Sequence, residues 1–423
     1  MIRIHTLILG GGLTGLSTAY HLQQAGHSDY LLVEQTSQPG GLCRSFYKDG
    51  FTFDCSGHLL HLHTAYGKKW VRALLPNNLR RVKRNAWVYT HDTYIPFPFQ
   101  ANLYALPEKQ RRECADGLKD RPVYATPSTF KEWCLTSFGK GIYKHFFRPY
   151  NTKLWGLPPS RLTCDWCGPF IPRPSGPQLQ QMLSKKSTRP WGYNTYFYYP
   201  VHGGCGALVE ALAKRVLNLR LNTRVTSIDL TTKTARLGTQ TVRFDYLVNT
   251  LALPQFLQLL KNTPALSRLA SRLKTVSVLV YHLAVRGKGK KFSWIYFPHS
   301  KDPFFRVGQQ SSFSPYNAPK GCRSFYVELP GIYAPSRQLE KQIWNSLLQK
   351  GIITRYDEKI TAFWQKIPAA YALFDKTHTA TVQKALCQLE ELDCLCAGRY
   401  GRWEYSFMET SILQGRETAQ KLL

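Results

Sequence analysis

The 423-residue chain is 43% hydrophobic and 13% aromatic, a composition that excludes an intrinsically disordered protein and suggests two or three domains. Its 56 Lys and Arg exceed its 26 Asp and Glu, and the formal net charge of +30 favours an anionic partner such as a phosphorylated substrate or an acidic membrane surface. The basic residues are dispersed and no helix-turn-helix or zinc-finger pattern accompanies them, so a specific nucleic-acid partner is not expected.

The first 34 residues predict a nucleotide-binding unit. A strand ("RIHTLIL") leads into Gly10-x-Gly12-x-x-Gly15 and a helix ("LSTAYHLQQAG"), and a second strand ("YLLVE") then ends at Glu34. In this pattern Gly10 permits a tight turn, Gly12 lets a pyrophosphate approach the backbone, and Gly15 lets the helix pack closely on the strand. The helix N-terminus is expected to face the phosphates, and Glu34 to accept a hydrogen bond from a ribose hydroxyl.

Two short runs raise the question of a metal or dithiol site. Cys164 and Cys167 have CxxC spacing, but their flanks are rich in turn residues and no further ligands follow at zinc-site spacing. His58, His61 and His63 lie within six residues, with no carboxylate nearby in the sequence. We therefore expect no metal. The eleven cysteines, with no signal-peptide pattern and no membrane-spanning apolar run, predict reduced thiols in a cytoplasmic protein.

The middle of the chain predicts a helix that leads into an aromatic platform. Helical spacing is shown by Phe130, Trp133, Phe138, Ile142 and Phe146. We expect this helix to end at Pro149. In the following "RPYNTKLWG", the rings of Tyr150 and Trp155 can either pack in a core or stack on a nucleobase or sugar, and the residues alone leave both alternatives open.

Several segments, met in order along the chain, resemble a known family. "QPGGLCRSF" resembles the second glycine motif of the flavin amine oxidase superfamily, which includes protoporphyrinogen oxidases, and "RLNTRVTSIDL", "FDYLVNTLAL" and the C-terminal "LCAGRYGRWEYSFMETSILQGRETAQKL" resemble its later strands and closing helix. "YIPFPFQANLYALP", "RPYNTKLWG", "WGYNTYFYYP" and "WIYFPHSKDPFFR" resemble the UDP-galactopyranose mutase family within it. The resemblance covers roughly residues 1–325 and 390–423.

The resemblance implies an α/β fold with a Rossmann-type (GxGxxG) FAD-binding domain, a helical insertion and an antiparallel β-sheet substrate domain. The FAD-binding domain is expected to be discontinuous, built from residues 1–100, 200–261 and 376–423. Residues 101–199 are expected to form a mostly helical sugar-nucleotide domain, and residues 262–375 the antiparallel sheet that completes the cleft.

The function that the resemblance implies is that of a flavin-dependent isomerase. Such a nucleotide-sugar mutase interconverts pyranose and furanose rings of a UDP-sugar through a covalent flavin N5–sugar adduct, with no net redox change, and serves polysaccharide biosynthesis. The active form holds reduced FAD, and NADPH or NADH is the expected external reductant. Two alternatives stay open: an FAD-dependent oxidase or desaturase of the amine oxidase or protoporphyrinogen oxidase type, and a non-catalytic FAD-binding scaffold.

The resemblance also assigns roles to individual residues. The cofactor-binding residues it implies are Gly10, Gly12, Gly15, Glu34, Gly41, Arg44, Gly57, His58, Val225, Arg399 and Ser411. The substrate-binding residues it implies are Phe99, Gln100, Asn151, Trp155, Asn194, Tyr296, Arg306, Tyr371 and Tyr405. His58 and Arg306 are the residues expected to take part in catalysis.

Three positions depart from the family pattern. Phe170 stands where the eukaryotic branch carries a second arginine for the diphosphate, so Arg161 or Arg173 would have to reach the cleft in its place. Phe97 replaces a tyrosine, and His61 replaces an aromatic hydrocarbon beside the flavin. The CDWC stretch before Phe170 is expected to line the sugar-nucleotide pocket.

Overall fold

Helices and strands run through the whole of the described part of the chain, which in this computed structural model comprises residues 2–168, 170–185, 191–192 and 194–423. Its strands are β1 (Ile2–Leu9), β2 (Tyr30–Val33), β3 (Ser45–Lys48), β4 (Phe51–Asp54), β5 (Leu79–Lys83), β6 (Ala86–Thr90), β7 (Thr93–Pro96), β8 (Tyr196–Pro200), β9 (Leu219–Arg220), β10 (Val225–Asp229), β11 (Thr234–Leu237), β12 (Gln240–Asn249), β13 (Leu260–Lys261), β14 (Thr275–Arg286), β15 (Trp294–Tyr296), β16 (Arg306–Gly308), β17 (Cys322–Pro330), β18 (Glu358–Ala372) and β19 (Cys394–Cys396). Its helices are α1 (Leu13–Gln24), α2 (Ala65–Leu74), α3 (Glu108–Lys119), α4 (Phe130–Ile142), α5 (Arg148–Trp155), α6 (Gly176–Gln181), α7 (Gly206–Ala213), α8 (Leu253–Leu259), α9 (Pro264–Ala270), α10 (Arg337–Gln349), α11 (His378–Glu390), α12 (Gly398–Gly401) and α13 (Met408–Lys421).

The first sheet has the strand order β13-β10-β11-β12-β1-β2-β9, with β19 paired to β12. Its centre is parallel: Ile8 in β1 lies opposite Leu32 in β2 and Val248 in β12, and all three side chains are fully buried. Such strands are covered by helices on both faces and therefore read as continuous apolar runs. The glycine motif lies at the carboxyl end of β1, at the edge of the sheet where nucleotides bind in such folds.

The second sheet has the order β18-β14-β17-β16-β15-β6-β7. It is antiparallel apart from the β15–β6 pair, whose strands run parallel. β6 and β7 fall within the 1–100 segment that the sequence assigned to the FAD-binding domain, and their hydrogen bonds join them to this second sheet. Two further ribbons, β3–β4 and β5–β8, flank the two large sheets.

The helix predicted from Phe130 onward runs further along the chain than expected. A capping box at Thr129 and Glu132 starts α4, a π-helical turn (Tyr143–Phe147) follows, and α5 continues to Trp155. The expectation that the helix ends at Pro149 is wrong. Phe147 and Arg148 before it have helical dihedral angles, so the helix passes through Pro149, with the π-helical turn just before the position that lacks an N–H.

Apolar side chains form several buried clusters. One packs the first sheet against the helical insertion, a second joins residues of both sheets, such as Ile8 and Val280, and a third packs the second sheet against α10 through Leu339, Ile343 and Leu347. In the part of the chain that the structure describes, no helix has both the length and the apolar character needed to cross a bilayer. The cavity described below lies between the first and second sheets, where their cores leave a gap.

Candidate functional site

The turn after β1 has the geometry that its three glycines predict. Gly10 has a φ of 97°, and a Cβ at Gly15 would lie 2.1 Å from the carbonyl oxygen of Gly10, so only glycine lets α1 start this close to the strand. A Cβ at Gly12 would meet nothing within 4 Å, because this residue opens onto the cavity. No side chain caps the N-terminus of α1 and its first turn holds no acidic residue. The positive end of the helix dipole is therefore directed at the cavity, and no acidic residue of the helix's own first turn neutralises it.

Glu34 is fixed beside this turn. Its Oε2 accepts a hydrogen bond from the backbone N–H of Gly11 at 3.0 Å, and its Oε1 accepts from the backbone N–H and the hydroxyl of Thr36 at 2.9 and 2.8 Å. These bonds hold the carboxylate at the cavity wall, and its role toward a ribose hydroxyl stays a prediction.

The second glycine motif lies beside the first, and the two turns, residues 10–12 and 40–41, together form a glycine cradle. Gly40 and Gly41 have φ angles of 113° and 56°, and the Gly40 N–H donates to the Gly11 carbonyl at 2.7 Å, so the two glycine turns lie side by side. Arg44 donates from Nε to the Gly41 carbonyl at 2.9 Å and from Nη1 to the Thr36 hydroxyl at 3.3 Å. Its guanidinium thus adds a fixed positive charge to the end of the cavity where a pyrophosphate is expected.

One cavity joins these turns to the second sheet. Its volume is about 570 Å³, and it is lined by the N-terminal glycine turns, by strands of the second sheet and by α12, α13 and the segment between them. The predicted site residues in its wall are Gly10, Gly12, Glu34, Gly41, Arg44, Gly57, His58, Asn194, Tyr296, Arg306, Tyr371, Arg399, Tyr405 and Ser411. The structure therefore brings residues from widely separated parts of the sequence into one site.

Three neighbouring strands place polar side chains in a row at the far end of the cavity. Tyr296 of β15 lies opposite Arg306 of β16, which lies opposite Glu328 of β17. Arg306 donates from Nη2 to Glu328 Oε1 at 2.8 Å and from Nε to Oε2, and the Ser56 hydroxyl also donates to Glu328. Burial lowers the pKa of Arg306, but the negative charge and hydrogen bonds of Glu328 raise it by more. The pKa of Arg306 therefore lies well above its ordinary range. Sequence reasoning missed Glu328; its signal is a single acid within the apolar strand "FYVELP".

A second polar group faces this row. The rings of Tyr371 and Tyr405 stack with centroids 6.0 Å apart, and the Arg399 guanidinium lies 5.1 Å from the first and 4.9 Å from the second. Arg399 also donates to the carbonyls of Ser406 and Ala370, at 3.4 and 3.2 Å. Burial raises the pKa of Tyr371, so its hydroxyl stays protonated and can donate a hydrogen bond at neutral pH.

His58 is neutral in this environment. Burial, followed by the positive charge of Arg399, lowers the pKa of His58 to about 4. Its Nδ1 atom is buried and has no hydrogen-bond partner among the residues that the structure describes. A buried imidazole nitrogen left this way is a group that a bound ligand is expected to satisfy. The preceding Gly57 packs under a tyrosine, because a Cβ there would lie 2.5 Å from the Tyr326 hydroxyl oxygen.

Five predicted binding residues lie behind the wall of the cavity. Phe99 stacks on Phe146 with centroids 5.1 Å apart, and Gln100 donates to the Pro172 carbonyl at 2.8 Å. Asn151 donates to the Phe147 carbonyl and accepts from Trp155 Nε1, and Val225 is a buried residue of β10. The ring of Trp155 packs against a wall residue, with its centroid 5.6 Å from that of Tyr371. The cavity itself gives none of the five a direct binding role.

The residues around the CDWC stretch also pack behind the wall. Cys164 donates to the Pro127 carbonyl at 3.1 Å, and Trp166 lies 5.9 Å from Tyr405. The expectation that this stretch lines the pocket is therefore wrong for its cysteines, which are core residues. Phe170 contacts the Tyr405 ring at 4.4 Å. In the described residues no group of three or more His, Cys, Asp or Glu side chains is arranged to hold a metal ion.

Neither arginine proposed to replace the missing guanidinium reaches the cavity. Arg173 lies over the Trp133 ring, 5.6 Å from its centroid, and Arg161 is exposed at the surface. The other two departures lie at or beside the wall: His61 lines the cavity, and the Phe97 ring packs 5.1 Å from Tyr296.

Comparison with known proteins agrees with this geometry. The model of the flavin-containing amine oxidoreductase family matches residues 13–423. The chain belongs to this family. The predicted relationship to the amine oxidase superfamily and the predicted α/β fold class are confirmed.

Solved structures of family members share the fold. A structure of reduced UDP-galactopyranose mutase superposes with a TM-score of 0.93 at 26% identity, covering 100% of this chain and 94% of that one. A putative protoporphyrinogen oxidase from Exiguobacterium sp. 255-15 superposes with a TM-score of 0.76 at 17% identity, covering 100% and 98%. The second likeness shows the fold alone.

Curated relatives match over short stretches. An inactive all-trans-retinol 13,14-reductase from Danio rerio is 40% identical over 52 residues, and an uncharacterized protein from the nifH2 3' region of Methanothermococcus thermolithotrophicus is 41% identical over 54. These stretches are 12% and 13% of this chain, which spans 8% of the first relative's length and 51% of the second's.

The residues present fit FAD, the flavin that this family and the mutase structure indicate. The glycine cradle would hold the pyrophosphate of FAD, and Glu34 would bind its ribose. Arg44 would offset the negative charge of the pyrophosphate, and all of these residues lie on one side of the cavity. His58, whose Nδ1 has no partner among the described residues, lies in the wall away from the glycine cradle, and the family's flavin ring is expected beside it. The cofactor would therefore run along the cavity and leave the tyrosine and arginine side chains at its far end for a second ligand.

Proposed function

We propose that this protein is an FAD-dependent nucleotide-sugar mutase, a flavin-dependent isomerase that interconverts the ring forms of a UDP-linked hexose. The observation that carries the proposal is the convergence of Tyr296, Tyr371, Tyr405, Arg306 and Arg399 at one end of the cavity that holds the cofactor cradle at its other end. Buried hydroxyls and guanidinium groups recognise phosphate oxygens, whereas an oxidase for an apolar substrate needs a dry pocket.

The side chains have separate tasks in this reaction. Tyr296 and Tyr371 remain neutral because burial raises the pKa of each, and neutral phenols donate hydrogen bonds to phosphate oxygens without having to lose a proton. Arg399 supplies positive charge and is already oriented by two carbonyls and two rings. Because these groups are fixed before the ligand arrives, little ordering entropy is lost when a diphosphate binds.

The cofactor and the neutral histidine complete the site. When bound, reduced flavin supplies the nucleophile that displaces the diphosphate from the sugar, with NADPH or NADH as the proposed reductant. His58, with a pKa of about 4, presents an uncharged imidazole to that end of the cavity and so adds no positive charge that would compete for the diphosphate.

The proposal is tested by incubating the FAD-loaded protein with a panel of UDP-hexoses, with and without dithionite, and separating the products by chromatography. We expect isomerised UDP-sugar only after reduction, and no oxygen consumption. A protein that binds FAD but neither binds UDP nor isomerises any member of the panel in the reduced state would not be a UDP-sugar mutase.

Two observations favour an oxidase as a second candidate. The Arg306 charge is cancelled by Glu328, and Phe170 contacts Tyr405 at 4.4 Å, where the mutase pattern has a cation. Both features reduce the positive charge available for a diphosphate and suit a neutral or cationic substrate. In the same panel, extended to amines, an oxidase would consume oxygen steadily with its substrate and need no reductant, while a non-catalytic scaffold would bind FAD and show neither reaction.

A further inference from the structure

Lys153 of α5 makes an unusual set of hydrogen bonds close to the cavity. Its ammonium donates to three backbone carbonyls, those of Phe297 at 3.2 Å, His299 at 2.7 Å and Phe304 at 2.6 Å. An ammonium has three N–H donors, so this set uses all of them. The side chain makes no ion pair with a described residue, since Asp302, the carboxylate that acts on its charge, is paired with Lys350 at 2.6 Å.

The three carbonyls belong to one loop, residues 297–305, which joins β15 to β16. Hydrogen bonding between these strands ends where the Phe297 N–H donates to the Phe305 carbonyl at 2.8 Å. Beyond that point the carbonyls have no strand partner, and a buried carbonyl without a donor is costly. Lys153 supplies that donor from a different element and ties both arms of the loop to α5.

The residues that flank this loop are those that line the cavity. Tyr296 directly precedes Phe297, and Arg306 directly follows Phe305, and the two form a cross-strand pair. One turn before Lys153 on α5, Tyr150 packs under the same pair, with its ring 5.2 Å from Tyr296. The helix therefore supports the hairpin at two points, through an aromatic contact under the pair and through an ammonium at the loop.

From this arrangement we infer that Lys153 is a positioning residue, whose ammonium closes the 297–305 loop and thereby fixes Tyr296 and Arg306 in the cavity wall. It acts through the loop and does not contact the ligand. In its link to the diphosphate, this inference rests on the proposed function. The closure of the loop does not depend on it.

The electrostatic surroundings of Lys153 are mixed. Burial, opposed by Asp302 and reinforced by the positive charge of Lys350, lowers the pKa of Lys153 to about 7. The three carbonyls favour the protonated form, because only an ammonium can donate to all three at once. His299, whose carbonyl accepts from Lys153, is itself held through its ring by the Thr90 hydroxyl at 2.8 Å. The loop is thus anchored on its other side to the end of β6.

The test compares Lys153→Met with Lys301→Met in the FAD-loaded protein. Lys301 is a matched control because it lies in the same loop, and its substitution also removes one positive charge, but its ammonium is half-exposed and pairs with Asp92 at the surface. We expect Lys153→Met to weaken UDP binding at least tenfold in calorimetry and to speed amide hydrogen exchange in residues 294–308. We expect Lys301→Met to change UDP affinity less than twofold and to leave that exchange unaltered.

A rescue experiment separates positioning from general destabilisation. Lys153→Ala leaves room for propylammonium, which carries the same donor group, and its addition should restore slow exchange in 294–308 and most of the UDP affinity. Lys153 variants that bind UDP like the wild type, or whose exchange is raised across the whole protein without rescue by the amine, overturn the inference. If the wild type does not bind UDP, the proposed function fails, and the exchange in 294–308 with and without propylammonium still decides whether Lys153 closes the loop.

Discussion

Replacing Glu328 by glutamine should make the protein less stable and make it bind UDP more tightly. Glu328 is 1% exposed, and its carboxylate receives two bonds from Arg306 and one from Ser56. The amide of glutamine keeps the shape but loses the negative charge, which leaves the Arg306 guanidinium uncompensated. Breaking a buried ion pair by removing one partner costs about 3–5 kcal/mol. A diphosphate then meets a guanidinium whose charge no carboxylate offsets, so its bond to Arg306 should strengthen, by at most the worth of one further charge-assisted bond, about 1.5–3 kcal/mol, or roughly a 10- to 150-fold gain in affinity.

The assay is denaturant unfolding of the ligand-free protein together with calorimetric titration of UDP. Asp357→Asn is the matched control. It breaks another buried ion pair, the one between Asp357 and Arg323 at 2.7 Å, and neither of these side chains lines the cavity. The control should lose comparable stability and keep its UDP affinity. If Glu328→Gln loses stability and binds UDP no better than the wild type, Arg306 does not face the diphosphate and the ligand arrangement proposed above is wrong.

Three further outcomes follow from the site. Arg306→Ala should weaken UDP binding by about 1.5–3 kcal/mol in the same titration, and unchanged affinity would count against the pocket. Gly15→Ala should abolish retention of FAD, read from the flavin absorbance of the purified protein, because the added Cβ would lie 2.1 Å from the Gly10 carbonyl oxygen, whereas Gly168→Ala, where a Cβ meets nothing within 4 Å, should retain it. His58 should make the ligand-free protein less stable in acid: between its ordinary pKa of 6.5 and its folded value of about 4 the unfolded state binds more protons, so stability is full above pH 6.5 and falls by about 3 kcal/mol toward pH 4. Denaturant unfolding across that range should show a shallower fall for His58→Gln, and equal slopes would refute the neutral, buried imidazole.

The parts of the fold that local sequence determines could be predicted. The glycine spacing, the apolar run of β1 and the acid at the end of the second strand describe one contiguous unit, and each has a steric reason that does not depend on distant residues. The helix boundary at Pro149 could not be predicted in the same way. A proline inside a helical pattern usually marks the end of the helix, and the π-helical turn through which this helix continues past Pro149 leaves no signal in the apolar spacing.

The candidate site was harder to predict, because its geometry depends on strand register. Tyr296 and Arg306 were found through a motif, but the partner of Arg306 lies on a strand 22 residues further along and is brought there only by the pairing of β16 with β17. Gln100 and Trp155 differ in another way, because the motifs predicted binding roles for both and the structure places both outside the lining of the cavity. A motif does not distinguish a side chain in the wall of a cavity from one that supports that wall, since both are buried.

The composition of the cavity wall has a consequence for biogenesis. Its residues extend from Gly10 to Ser411, and β19, which precedes the last part of the wall, pairs with β12 in the middle of the first sheet. During synthesis the N-terminal cradle leaves the ribosome first but lacks the opposite side of its binding site until almost the entire polypeptide has emerged. Capture of a ligand along the full cavity is therefore post-translational, because α13 supplies both part of the wall, through Ser411, and the surface on which α1 packs, through the bond from the Ser17 hydroxyl to the Ile412 carbonyl.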